Sequence, residues 1–121
     1  MHCVGVDIIE IARIRAAIDR YGERFLNRIY TGSELELCRK RPGPLACRFA
    51  GKEAVMKALG TGVRGIKWRE IEILAEHGGK PLVQLHGKAQ DKADSLGLGT
   101  LAISLSDSKE YAVAFVVGET R

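Results

Sequence analysis

Cysteine, aromatic residues and long apolar runs are all scarce in this chain, and each scarcity removes a class of explanation. Its three cysteines, Cys3, Cys38 and Cys47, are odd in number and unevenly spaced, which argues against a disulfide framework and against paired zinc knuckles. They are expected to be reduced, with Cys3 in a strand and Cys47 on a helix acting as small buried apolar residues. His77 and His86 do not add a convincing zinc pattern. With one Trp, three Tyr and three Phe, not interleaved with basic residues, the chain lacks a base-stacking platform, so nucleic acid is not an expected partner. Apolar runs such as Ala112 to Val117 fall far short of the roughly 20 residues that cross a bilayer. No membrane association is expected, and Met1-His2-Cys3-Val4-Gly5 carries no secretory-signal pattern, so a soluble, cytoplasmic protein is expected. No Walker or dinucleotide-binding glycine pattern occurs.

What is present is a chain of 121 residues with 45% apolar content. That is enough to bury a core, and one domain over 1–121 is the default, with no repeat or linker. A formal charge of +4 and a pI near 9.1 favour an acidic partner without identifying it.

Val4 and Val6 alternate in a short strand ending at Asp7, and Ile11, Ile14, Ile18 and Tyr21 then follow helical spacing. Gly22 breaks that helix, Phe25, Leu26 and Ile29 add another turn or two, and Ser33 with Glu36 resembles a capping box opening a short helix. Pro42-Gly43-Pro44 is expected to stop it. Leu45, Phe49, Met56 and Leu59 share a face of a long central helix to which Ala46, Ala50, Ala54 and Ala58 lend propensity. Gly60-Thr61-Gly62 closes that helix. Strands are expected over Trp68 to Leu74 and from Leu82 to Leu85, joined by a turn at His77 to Lys80. A short helix through Ala89, Ala93 and Leu96 follows, and then a hairpin of Thr100 to Leu105 with Tyr111 to Val117. The order predicts an α+β fold with a mainly antiparallel sheet packed on the long helix.

Asp7, with Glu10 three residues on, has a plain reading as a helix N-cap. Glu53 is harder to explain, because it lies at the edge of a face that should be buried and therefore needs a partner. Lys57 at i+4 supplies one, worth about 0.2 to 0.5 kcal/mol on a helix. The alternative is that Asp7 and Glu53 meet across the strand and helix and bind a hard divalent cation beside phosphate, with Lys52 and Lys57 neutralising charge. Gly60, Gly62 and Gly65 read either as a helix terminus and loop or as a close approach to phosphate. Arg13, Arg20 and Arg24, at i, i+7 and i+11, form either a solvated face or a dock for an acidic helix.

Gly5-Val6-Asp7-Ile8-Ile9-Glu10-Ile11 with Arg13, and Phe49-Ala50-Gly51-Lys52-Glu53-Ala54-Val55-Met56-Lys57-Ala58, resemble the two motifs of the acyl-carrier-protein synthases. The likeness runs on through Gly60-Thr61-Gly62, Ile71-Glu72-Ile73, Gly79-Lys80-Pro81 and Ser104-Leu105-Ser106 to Tyr111-Ala112. The resemblance implies a 4'-phosphopantetheinyl transferase-like fold. It also implies transfer of the phosphopantetheine arm of coenzyme A to a serine of apo-acyl carrier protein, serving fatty acid biosynthesis. By motif it makes Asp7 and Glu53 magnesium ligands and, with Lys57, the catalytic set. Arg48, Lys57, Gly60, Gly62, Gly79, Lys80 and Pro81 would hold coenzyme A, Arg13 and Arg24 would dock the carrier protein, and the assembly would be a homotrimer. Asp107 stands where this family usually has histidine, and no role is carried over to it. That change supports a competing expectation, a basic module that binds an acidic protein without catalysis. A third expectation is a relative with a broader range of carriers.

Overall fold

The first strand is inverted relative to an ordinary half-buried strand. In β1 (His2–Glu10) the large apolar residues face outward, Val4, Val6 and Ile8 being 58%, 52% and 63% exposed, while Gly5, Asp7 and Ile9 face inward. The computed structural model, which describes residues 1–62 and 64–121, shows what the inward face meets. A Cβ on Gly5 would overlap the Ala54 carbonyl oxygen and lie 3.0 Å from the Ala58 nitrogen, so the strand rests directly on the backbone of the long helix α4 (Pro42–Leu59). Its alanines at 46, 50, 54 and 58 are all buried. They supply more than helix propensity, because their small side chains leave room for a sheet to approach.

β1 pairs antiparallel with β5 (Tyr111–Thr120), which pairs with β4 (Leu98–Asp107), giving the order β1-β5-β4. β2 (Ile71–Ala75) and β3 (Pro81–Leu85) form a separate antiparallel pair, so the strands are divided between two sheets. Gly51 fits α4 between them: a Cβ there would lie 2.5 Å from Ile73 Cδ1 of β2 and 3.2 Å from Ile103 Cδ1 of β4. The expected α+β class with a mainly antiparallel sheet on a central helix holds. Because sheets cover α4 on more than one side, its buried residues extend well beyond the face of Leu45, Met56 and Leu59.

Several local expectations shift. Asp7 is not a helix cap, since β1 runs on to Glu10, which precedes α1 (Ile11–Tyr21) without a side-chain capping bond. Gly22, with φ 57° and ψ −131°, separates α1 from α2 (Glu23–Ile29), so the Arg13, Arg20 and Arg24 spacing does not continue along one helix. The capping box before α3 (Gly32–Cys38) belongs to Thr31 and Glu34, not Ser33 and Glu36: Thr31 Oγ1 accepts from Glu34 N at 3.2 Å, and Glu34 Oε1 accepts from Thr31 N at 2.9 Å. Pro42 opens α4 instead of ending α3, because the missing N–H costs nothing in a first turn. Residues Trp68–Glu70 form a 3-10 turn, and β2 starts only at Ile71. α5 (Gly87–Ser95) lies between β3 and β4 as expected.

Lys52 and Glu34 are both fully buried and pair at 2.8 Å. Lys52 Nζ also donates to the carbonyls of Trp68 and Ile71, and Glu34 Oε2 accepts from Ile73 N at 2.8 Å. Burial pushes the Lys52 ammonium below its ordinary range, while the Glu34 charge opposes that shift. The pair ties α3, α4 and β2 together from inside the protein, so Lys52 is not available to neutralise phosphate.

Lys52→Met should destabilise the fold by about 3 to 5 kcal/mol in urea titration, because it leaves Glu34 buried without its counter-charge. Gly5→Ala should cost about 1 to 3 kcal/mol in the same assay, through overpacking against Ala54.

Candidate active site

The contact at Gly5 sets the position of the residues beyond it on β1. Two residues along the inward face is Asp7, and on α4 the residues around the contact include Glu53 and, one turn later, Lys57. Lys57 Nζ donates to Asp7 Oδ1 and to the Val6 carbonyl, both at 3.0 Å. The ion pair of Lys57 is therefore with Asp7 across the interface and not the expected i+4 pair with Glu53. Asp7 and Glu53 line one cavity of about 410 Å³, together with Arg13 and the aromatic rings of Phe25, Phe49 and Trp68.

Glu53 holds its proton more tightly than an ordinary glutamate. Partial burial is the largest cause and the charge of Asp7 the next, with Lys57 and Arg13 pulling the other way. Two carboxyl groups that resist sharing a cavity as anions are a suitable donor set for a hard divalent cation. Among the described residues no cluster of three His, Cys, Asp or Glu side chains could hold a metal. A cation here would rest on these two carboxylates and take its remaining oxygens from water or substrate phosphate, as magnesium tolerates.

The other expected site residues are dispersed. Gly60 ends α4 in the left-handed region at φ 77°, with Gly62 at φ 57° just beyond it, one turn from Lys57. Arg48 is half-buried, its Nε donating to the Ile73 carbonyl at 3.3 Å. Gly79 and Lys80 lie in the exposed turn between β2 and β3, and Pro81 opens β3. None of Arg48, Gly79, Lys80 or Pro81 lines the Asp7 cavity. Arg13 does, whereas Arg24 lines a neighbouring hollow of about 380 Å³ with Tyr21, Phe25 and Arg28, and Arg20 lies over the Tyr21 ring at 5.4 Å.

Asp107 faces the first turns of α4. Its Oδ2 lies 3.1 Å from the position a Cβ on Gly43 would take, and its charge acts on the Cys47 thiol. Burial, followed by the Asp107 charge, pushes that thiol up to about 11. The carboxylate thus sits at the positive end of a helix dipole, which offsets part of its charge. All three cysteines are free, with Cys38 and Cys47 buried and Cys3 half-buried.

The aromatic wall is the feature that reading the sequence did not anticipate. Phe49 and Trp68 stack at 4.8 Å between centroids, and Phe25 lies 6.5 Å from Phe49 on the other side. Phe49 was expected in the core and Trp68 in a strand, and nothing in their spacing joins them to Asp7.

A family model described as the 4'-phosphopantetheinyl transferase superfamily matches residues 3–116. The chain belongs to this superfamily. It is 53% identical to a holo-(acyl-carrier-protein) synthase of Dehalococcoides mccartyi, over 95% of this chain and 96% of the relative. It is 48% identical to one of Herpetosiphon aurantiacus, over 98% of each. Among solved structures, the Helicobacter pylori holo-(acyl-carrier-protein) synthase in complex with coenzyme A superposes with a TM-score of 0.88 at 33% identity, covering 96% of this chain and 99% of that one. The Neisseria meningitidis enzyme gives 0.87 at 36% identity, with 98% of each chain covered. The fold is that of these transferases.

Because the folded state holds the Glu53 proton more tightly than the unfolded chain does, Glu53's contribution to stability falls as pH rises from the ordinary glutamate range through its raised value. Asp7→Asn should lower the Glu53 midpoint and Lys57→Met should raise it, read by carboxyl NMR titration without added metal.

Proposed function

We propose that this chain is a holo-(acyl-carrier-protein) synthase. It transfers 4'-phosphopantetheine from coenzyme A to a serine of apo-acyl carrier protein and releases adenosine 3',5'-bisphosphate, as a cytoplasmic step of fatty acid biosynthesis. The observation that carries this reading is the meeting of Asp7 and Glu53 in one cavity, with Lys57 fixed on Asp7. The family relationship and the names of its relatives support it.

In the reaction the serine oxygen forms a bond to the phosphorus nearer the pantetheine, the bond from that phosphorus to the bridging oxygen breaks, and the serine proton leaves. Asp7 and Glu53 would hold Mg²⁺, which when bound neutralises pyrophosphate oxygens and eases departure of the bisphosphate. Lys57, through Asp7 and the Val6 carbonyl, keeps β1 and α4 in register and adds positive charge beside Asp7. Gly60 and Gly62 allow backbone close to a phosphate. Arg48, Gly79, Lys80 and Pro81 are assigned to the nucleotide of coenzyme A, and Arg13 and Arg24 to the acidic helix of the carrier.

Residues assigned to one substrate but dispersed over one chain fit an assembly in which neighbouring copies complete each site, and a homotrimer is the reading adopted. The outward face of the β1-β5-β4 sheet supports self-association. Phe115, opposite Val6, is 47% exposed, next to Val4, Val6 and Ile8, and such a contiguous apolar patch is unusual on a surface that faces only water.

Incubated with apo-acyl carrier protein, coenzyme A and magnesium, the protein should raise the carrier's intact mass by one phosphopantetheine arm, and EDTA should abolish the gain. Asp7→Ala and Glu53→Ala should each slow transfer by about 10²-fold or more while the fold survives by circular dichroism. Carrier binding without any mass gain would favour a non-catalytic module instead.

A further inference from the structure

A second cavity, of about 770 Å³, is larger than the one that holds Asp7 and Glu53. Arg28, Lys67, Arg69 and His86 line it, and Trp68 is the one residue it shares with the carboxylate cavity. Its only acidic lining residue is Glu70, and both oxygens of Glu70 are engaged: Oε1 accepts from Lys67 N at 2.7 Å and Oε2 from Lys88 N at 2.9 Å. Among the described residues, Arg28, Lys67 and Arg69 form no ion pair. Three exposed cations outside any ion pair among the described residues therefore line one hollow whose single carboxylate already accepts two backbone hydrogen bonds.

The walls are held in place. His86 Nε2 lies 3.0 Å from Glu72 Oε1, while Thr31 Oγ1 donates to Glu72 Oε2 at 2.6 Å. Trp68 is fixed by its stacking on Phe49 and by its carbonyl, which accepts from the buried Lys52. Buried Ile66 adds apolar surface. A rigid apolar wall beside unpaired arginine and lysine suits a ligand that has one flat apolar part and one oxyanion.

We propose that this cavity is a second binding site, for a small molecule carrying a phosphate or carboxylate on a flat apolar body. Its occupancy does not depend on the Asp7 and Glu53 pair. Arg69 and Lys67 take the oxyanion, and the body lies along Trp68 and Ile66. Neither Lys67 nor Arg69 belongs to the transfer machinery described above.

Trp68 is the chain's one tryptophan and borders both cavities, so its emission reports binding and the variants assign that binding to one of them. Phenyl phosphate titrated into the full chain in EDTA should change that emission saturably, and inorganic phosphate, lacking a ring, should bind more weakly. Lys67→Gln with Arg69→Gln should weaken phenyl phosphate by about tenfold or more, the value of one hydrogen bond to a charged group. Glu53→Gln, saturating coenzyme A and the surface control Lys109→Gln should each leave the affinity unchanged. The proposal is overturned by the absence of a saturable change or by equal affinity in the double variant. Competition by coenzyme A or loss of binding in Glu53→Gln would also overturn it, because either would make the cavity part of the carboxylate site. Equal binding of inorganic phosphate would remove the flat body from the proposal.

Discussion

The rest of the structure depends on one close approach, β1 resting on the backbone of α4 at Gly5 and Ala54. A side chain at position 5 would hold strand and helix apart. With none, Asp7 comes within reach of Lys57 Nζ and shares a cavity with Glu53, and Ile9 enters the core. The charge of Asp7 can raise the proton affinity of Glu53, 46 residues further along the chain, only because of this contact. The chemistry of the site is thus a consequence of packing, since neither carboxylate has unusual surroundings within its own element.

A second constraint operates on the far side of α4. The buried Lys52 and Glu34 pair is satisfied by backbone groups of Trp68, Ile71 and Ile73, so a pair of charges fixes where β2 begins and where the tryptophan sits. Thr31 connects this arrangement to Glu72 and His86, because its hydroxyl both accepts from the Glu34 backbone and donates to Glu72. One helix therefore carries an exposed lysine that anchors the carboxylate cavity and a buried lysine that organises the larger one.

Much of this was legible in the residues. Alternation and helical spacing gave the order of elements, and the oddity of Glu53 at a buried edge pointed to a partner outside its own helix. Adjacent signals misled where two residues of the same chemistry competed. Thr31-Glu34 and Ser33-Glu36 both fit a capping box, and only tertiary contacts of Glu34 with Lys52 and Ile73 select the first. Lys52 and Lys57 look alike in the sequence, yet they lie on different sides of α4, at 0% and 55% side-chain exposure. Asp7 read equally well as a cap, because a strand that continues three residues further leaves no local mark. The stacking of Phe49 on Trp68 joins residues from separate elements, and no periodic pattern encodes it.

The outward face of β1 stays in water in an isolated copy, with Val4, Val6 and Ile8 more than half exposed beside Phe115. Any association that covers this strip adds its free energy to folding by mass action, so the persistence of the fold becomes a property of how many copies are present. Dilution would then act as a denaturant, and the amount of protein a cell makes would set both its catalytic capacity and its lifetime against proteolysis.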